Sequence, residues 1–516
     1  VFSGHIAAMP ETANAFGALD WSVLVLYLVG TTALGVRLGR GQKDARDYFV
    51  ADGSIPWWAV LFSVVATETS ALTFISIPGL AYLGDFTFLQ VATGYLLGRI
   101  VIAYTLLPRY VGGELVTAYA LLERRFGQGT RRLASVTFMV TRAFGDSVRL
   151  FATSIPVALI LAGVLPSAWT GPVSILVLGA ATLIYTYHGG MRAVVWTDVV
   201  QMAVYLIGGL GAVWLIGAGV DGGWRSILTS ADAAGKLRLF DFSIGLDRPH
   251  TLLAGLLGGG FLAMASHGAD QIIVQRLLAA GTLRDARRAL IGSGVVVIAQ
   301  FALFLLIGIG LWAFYGGEQF PAPDRIFPAF IISEMPPVLT GIVIAAILAA
   351  AMSSLSGSLN ALAAATLHDL YGPLRGGVPT GLASLRLSRV MTLGWAVVLI
   401  GGALLYRAEG TPVVVIALSI ASFTYGGLLG GFFLAMLWPR AIQRDAILGM
   451  GVGIFVMSIV VFAARLSAAI PALAAPLAPL TGIAWPWFVL IGTSVTLAVG
   501  ILSSYTHAVP DHGAAS

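Results

Sequence analysis

The sequence has no cysteine and very little charge. No disulfide, thiol nucleophile or cysteine-held cluster is possible, and Asp, Glu, Lys and Arg make up only 10% of the 516 residues. An average soluble protein carries about 25%. Too little polar surface is present to cover several soluble cores, which excludes a soluble multidomain fold. Signatures of energy coupling and hydrolysis are missing too. No GxxxxGK[ST] loop is present to cradle a phosphate, and neither HExxH nor GxSxG occurs, so an ATP-driven pump of that type and the common hydrolases are set aside.

What fills the chain is apolar: 58% hydrophobic residues and a mean hydropathy of +0.90. Glycine, at 63 residues, exceeds the usual ~7% and favours helices that pack closely or break over a β-barrel. The expected class is all-α, a polytopic helical membrane protein. About thirteen stretches are long enough to span, at roughly 20 apolar residues each. They centre near Leu28, Ser70, Leu97, Ala152, Leu178, Leu206, Leu262, Leu303, Ile347, Val397, Leu428, Phe455 and Leu490.

Lys and Arg concentrate on one side if the N-terminus faces out. Arg37, Arg40, Lys43, Arg124, Arg125, Arg276, Arg284, Arg287 and Arg288 then fall in inner loops, whereas Arg225, Lys236, Arg238, Arg248 and Arg407 face out. Arg99, Arg142 and Arg149 fall within the membrane. A plasma-membrane protein with its N-terminus outside and its C-terminus in the cytoplasm is expected. Glu114 to Gly127 reads as an amphipathic surface helix on the inner side.

Two spans carry polar clusters at depth. Ser63 to Tyr82 contains Thr67, Glu68, Thr69, Ser70 and Thr73 mid-membrane; Gly255 to Arg276 contains Gly258, Gly259, Gly260, Ser266, His267, Gly268, Asp270 and Gln271. Hydroxyls that bond the i−4 carbonyl loosen a helix, and polar groups at this depth are costly. Two interrupted helices, each heading five spans, point to an inverted-repeat transporter with its site at the midplane. The alternative is plain packing, since GxxxG spacing such as Gly255 to Gly259 serves close helix contacts. A third segment, Ala345 to Leu362, sets Ser353, Ser354, Gly357, Ser358 and Asn360 among alanines. Its hydroxyls suit a hard cation such as sodium, or a small-residue packing face.

These segments, with YTYHGGMRAVVWTDVVQ from Tyr185 to Gln201, DYFVADGSIPWWAV after the first span and DQIIVQRLLAA from Asp270, resemble the sodium:solute symporter family of sodium–sugar, –proline, –sialate and –monocarboxylate carriers. The resemblance covers about Asp20 to Trp438 and implies a LeuT-type five-plus-five inverted repeat with broken first and sixth core helices. It implies a tail over 1–18, an extra helix over 19–40, repeats over 56–220 and 250–438, two further helices over 445–503 and a cytoplasmic tail over 504–516. It also implies a transporter and no enzyme, working by alternating access with sodium and a small-molecule solute as partners. The bilayer is its surroundings, nucleic acid is no partner, and the fold needs no second copy. The implied sodium site uses carbonyls of Ala66, Thr69 and Ala350 and hydroxyls of Ser353 and Ser354. A second sodium, as in some members, would use Asp198, Ser353, Ser356 and one more serine. Gly357 stands where that serine is expected.

The substrate contacts so implied are Glu68, Ser70, Thr73, Ser266 and His267 on the two broken helices. Arg142, Asp146 and Arg149 share one face of another span. One reading pairs Glu68 and Asp146 with Arg149 and Arg142 as a buried network. The other gives Arg149 a bidentate grip on a solute carboxylate, with Glu68 or Asp146 meeting an amine or hydroxyls. The expected solute is a small carboxylate or amino acid; a sugar is the alternative, with proton coupling or a channel as rivals to sodium symport.

Overall fold

The computed structural model describes residues 16–112, 115–161, 165–320, 323–406 and 413–508. Most of the expected outer tail, Glu114 of the expected surface helix, Arg407 and the end of the cytoplasmic tail lie outside them. Among the described residues the regular structure is entirely helical. The main helices are α1 (Ala18–Leu38), α2 (Trp57–Glu68), α3 (Ala71–Leu83), α4 (Leu89–Tyr104), α5 (Gln128–Leu161) and α6 (Ser167–Gly219). They continue with α7 (Gly260–Gly268), α8 (Gln271–Leu278), α9 (Leu283–Phe314), α10 (Leu339–Ala365), α11 (Gly381–Leu405), α12 (Val413–Leu437), α13 (Gln443–Ala469) and α14 (Trp487–Ser504).

Among the described residues seven helices are long and apolar enough to cross a membrane. Four of the expected span centres fall elsewhere, on helices that are broken, short or charged: Ser70, Leu97, Ala152 and Leu262. Leu428 lies on α12, an uncharged helix of 25 residues. Helix α6 has 53 residues, and at ~1.5 Å per residue a straight helix of that length would far exceed a bilayer core of ~30 Å. It reverses at Gly190, whose φ of 52° and ψ of −148° suit a residue without a β-carbon. The glycine pair in the HGGMR motif is therefore a corner. The expected surface helix is shorter than its sequence pattern, running from Ala120 to Phe126.

Both polar clusters break their helices, each with a side chain capping the second half. Helix α2 ends at Glu68, Thr69 and Ser70 are extended, and the Ser70 hydroxyl accepts the Thr73 N–H to start α3. In the other cluster Asp270 is extended and its carboxylate accepts the Ile272 N–H at 2.9 Å, starting α8. The glycines at 255 and 258–260 do not make this second break; α7 ends at Gly268. Gly255, Gly258 and Gly259 lie in a π-helical stretch, Ala254–Gly259, that runs straight into α7.

Those glycines make a close contact instead, as the packing alternative held for that stretch. Helix α4 lies backbone to backbone on the π-helical turn: a β-carbon on Gly94 would collide with the Gly255 carbonyl, and one on Gly259 would sit 2.7 Å from the Val91 carbonyl. Gly94→Ala is expected to cost about 1–3 kcal/mol, as overpacking does, and to lower the melting temperature in detergent. Gly30→Ala, inside α1 with nothing within 4 Å of the added carbon, is expected not to lower it, since alanine is the better helix former by about 1 kcal/mol.

Helix α10 is the buried centre, packed along α6 and against α1 and α5. Its first turn is held by α1: Asp20 Oδ1 accepts the N–H groups of Val338 and Gly341, each at 2.9 Å. Val338 has a φ of 74°, and the carboxylate on its N–H fixes that unfavourable conformation.

Candidate functional site

The break between α2 and α3 faces the middle of α10. The last hydrogen bond of α2 runs from the Thr69 N–H to the Val65 carbonyl at 2.9 Å, so the carbonyls beyond Val65 are released from the helical ladder. A cavity of about 10 Å³ sits there, lined by Ala66, Thr69, Gln201, Met202, Tyr205, Ala350 and Ser353. The hydroxyls of Ser353 and Ser354 are buried without a hydrogen-bond partner. Thr69 is held in place, because Gln300 Nε2 donates to its Oγ1 at 2.7 Å and to the Tyr205 hydroxyl at 3.2 Å.

Gln201 and Gln300 are the residues that sequence reasoning missed. Both polar atoms of the Gln201 side chain are buried and unpartnered beside the cavity. Its place in the WTDVVQ motif was the available signal. Gln300 offered none, being a lone amide in an apolar helix.

The charges nearby do not pair as one sequence reading had them. Glu68 pairs with Arg99 of α4, which is fully buried and also donates to Ser293 Oγ at 2.7 Å. His267 approaches the same carboxylate at 3.7 Å through Nε2, and its Nδ1 meets the Ser266 hydroxyl at 2.8 Å. Ser70 and Thr73 follow the break, their hydroxyls 3.3 Å apart. Thus Glu68, Ser266 and His267 come together around Arg99.

Asp146 does neutralise both neighbours on its helix, with Arg142 and Arg149 each at 3.5 Å, and it accepts the Ser358 hydroxyl. Arg142 is the better anchored. It pairs with Asp270 and donates to the Tyr425 hydroxyl at 2.8 Å, which itself donates to Asp270 at 2.7 Å. This network ties α5 and α12 to the second break. Among the described residues Arg149 keeps only its contact with Asp146 and has an unpartnered Nε, and it is 27% exposed against 13% for Arg142.

Asp198 lies one helix away from these charges and is fully buried. Its Oδ2 accepts the Ser63 hydroxyl and Arg276 Nη2 at 3.1 Å, while Oδ1 has no hydrogen-bond partner among the described residues. Arg276, counted with the inner loops from sequence, is also fully buried, near the end of α8. Position in the chain misled there, because an arginine near the end of a span can turn inward once a carboxylate meets it.

Comparison with known proteins follows the same lines. The chain is 31% identical over 460 residues to a sodium/sialic acid symporter of Proteus mirabilis, covering 87% of this chain and 90% of that one. It is 30% identical over 448 residues to the sodium/sialic acid symporter of Aliivibrio fischeri, covering 85% and 86%. The human sodium/iodide cotransporter is 30% identical over 461 residues, covering 85% and 69%. Among solved structures, a sodium-coupled sialic acid symporter in a substrate-bound, outward-open state aligns with a TM-score of 0.83 at 26% identity, over 96% of this chain and 99% of that one. A nucleobase–cation symporter in a closed conformation, 12% identical over 90% of this chain and 96% of that one with a TM-score of 0.52, shares the fold. The characteristic sequence pattern of sodium:solute symporters matches residues 48–453. This all-helical, multi-pass chain, a transporter and not an enzyme, belongs to the sodium:solute symporter family.

Proposed function

We propose that this symporter couples sodium to uptake of a small organic anion, with Arg149 receiving the solute's carboxylate. The observation that carries this reading is an imbalance in how the central charges are used. Glu68 is already neutralised by Arg99, whereas Arg149 is loosely held and the more open of the two arginines flanking Asp146. A site whose carboxylate is occupied and whose guanidinium is open favours an anion over an amine. Ser70, Thr73, Ser266 and His267 then supply neutral hydrogen bonds, and Glu68 with Asp146 shapes the site from behind. Relatives named for sialic acid and for monocarboxylates transport anions of this kind.

Sodium, the co-transported ion, would bind in the cavity beside Ala66, Thr69, Ala350 and Ser353, with Ser354 completing the oxygen set. Neutral carbonyls and hydroxyls suit a hard monovalent cation. Filling the gap would stabilise the break in α2–α3, and coupling is the difference in sodium affinity between the states of the cycle. The arginine bias supports an N-terminus outside and a C-terminus in the cytoplasm. A chain that works as a monomer, with the repeats over 56–220 and 250–438, fits the same reading.

Proteoliposomes with an inward sodium gradient test the solute. Uptake of labelled sialic acid and lactate is compared with that of neutral galactose. Arg149→Gln is expected to reduce uptake of the preferred acid at least tenfold, the loss of one charged hydrogen-bonded contact, while sodium-dependent stabilisation persists. Uptake of galactose alone, or full acid transport by Arg149→Gln, would reject the anion reading.

A further inference from the structure

We infer that the guanidinium of Arg276 occupies the place of a second sodium ion, so that this chain binds one sodium and carries its other cation as a tethered side chain. The inference rests on the sodium-site reading above and extends it to stoichiometry. A second ion would need Asp198, Ser353, Ser356 and an oxygen at position 357, and the structure does not offer the full set. Asp198 Oδ2 accepts both Ser63 and Arg276. The Ser356 hydroxyl donates to the Ser353 carbonyl at 3.0 Å. Position 357 is glycine and supplies no side-chain oxygen.

Its missing side chain is the telling feature. A β-carbon on Gly357 would lie 2.7 Å from Arg276 Nη2 and 2.9 Å from Nη1, so the guanidinium fills the space a serine would need. Arg276 is held there by Ser63 Oγ at 2.9 Å, the Ile272 carbonyl at 3.0 Å and Asp198 at 3.1 Å. The pocket is polar, fully buried and already carries one positive charge against its one carboxylate. A sodium ion added there would repel the guanidinium across a low-dielectric interior, where such repulsion is several times stronger than in water. The cavity beside Ala66, Thr69, Ala350 and Ser353 does not include Asp198, Ser356 or Gly357. Ser353 alone borders both places, and its hydroxyl is left for the single ion.

The arrangement also has a mechanical side. Ser63 lies on α2, Arg276 on α8 and Asp198 on α6, so the tethered cation joins both broken helices to a third. A mobile sodium would make that joint only while bound; the arginine makes it throughout.

The test counts sodium with no solute present. Binding of radioactive sodium to the purified protein is measured to saturation, and the sodium dependence of the melting temperature gives the Hill coefficient. One ion per chain and a coefficient near one are expected. Two ions per chain would overturn the inference and leave the sodium site standing; none would overturn both. The double variant Arg276→Gln with Gly357→Ser removes the guanidinium and restores the oxygen. It is expected to bind a second sodium and to raise the coefficient toward two. A folded double variant that still binds one ion would show that the guanidinium is not what excludes the second. If the variant does not fold, the count for the unaltered protein still decides.

Discussion

Asp198→Asn is expected to destabilise the protein by about 3–5 kcal/mol, the usual consequence of leaving one member of a buried ion pair without its partner. Both side chains are fully buried. Asparagine keeps an oxygen for Ser63 and Arg276 but removes the charge that holds the guanidinium in a dry interior. The same logic predicts strong non-additivity. Asp198→Asn combined with Arg276→Gln leaves no isolated charge and is expected to recover most of the loss, a coupling that a double-mutant cycle isolates. Thermal melts of the four proteins in one detergent measure it. An Asp198→Asn melting curve superimposed on that of the unaltered protein would mean that the pair does not hold α2, α6 and α8 together.

Ser353→Ala carries the other large effect, on sodium rather than on the apo fold. A ligand that binds only the native state stabilises it by mass action, by about 2.7 kcal/mol at a hundredfold excess over Kd. Sodium should therefore raise the melting temperature above that in equal potassium or choline. In Ser353→Ala the rise is expected to vanish at the same concentration. The hydroxyl removed has no hydrogen-bond partner of its own, so alanine there is expected to change the melting temperature in choline little. Equal sodium shifts in both proteins would remove Ser353 from the site. Identical melting in all three salts would remove the sodium reading itself.

The parts of the molecule legible in its sequence are those set by local chemistry. The break after Glu68 shows as a run of hydroxyl residues inside an apolar span, and the serine-rich segment of α10 stands out among alanines. The second break was bracketed more broadly. The expectation spread over Gly258 to Gln271, whereas the helix passes through residues 258–260, ends at Gly268 and restarts after Asp270, whose carboxylate caps the next half.

Pairing was illegible for a different reason. Four arginines and several acids lie at depth, and nothing in their spacing says that Glu68 meets Arg99, 31 residues away, rather than Arg149. Asp198 and Arg276 are 78 residues apart, and Arg276 looked like an inner-loop residue because it stands near the end of its span. The proposed sodium ligands came from family resemblance. Gln201 stands in the motif that carries the resemblance, but its place beside the cavity follows only from the fold.

The carboxylate of Asp20 sets a condition on how the chain is made. Its partner at Val338 is 318 residues further along. At ribosomal rates of ~5–20 residues per second, the first helix waits roughly 15–60 s before the N–H groups it caps have been synthesised. During that interval α1 carries an unused acceptor, Asp20 Oδ1, at its N-terminal end, where water and lipid headgroups can solvate it. The same delay applies to α10, whose opening turn has no cap until it finds a helix inserted long before. Closing this contact is thus a meeting between α1 and a helix made much later, and a ribosome stalled before Val338 would leave α1 without its lock.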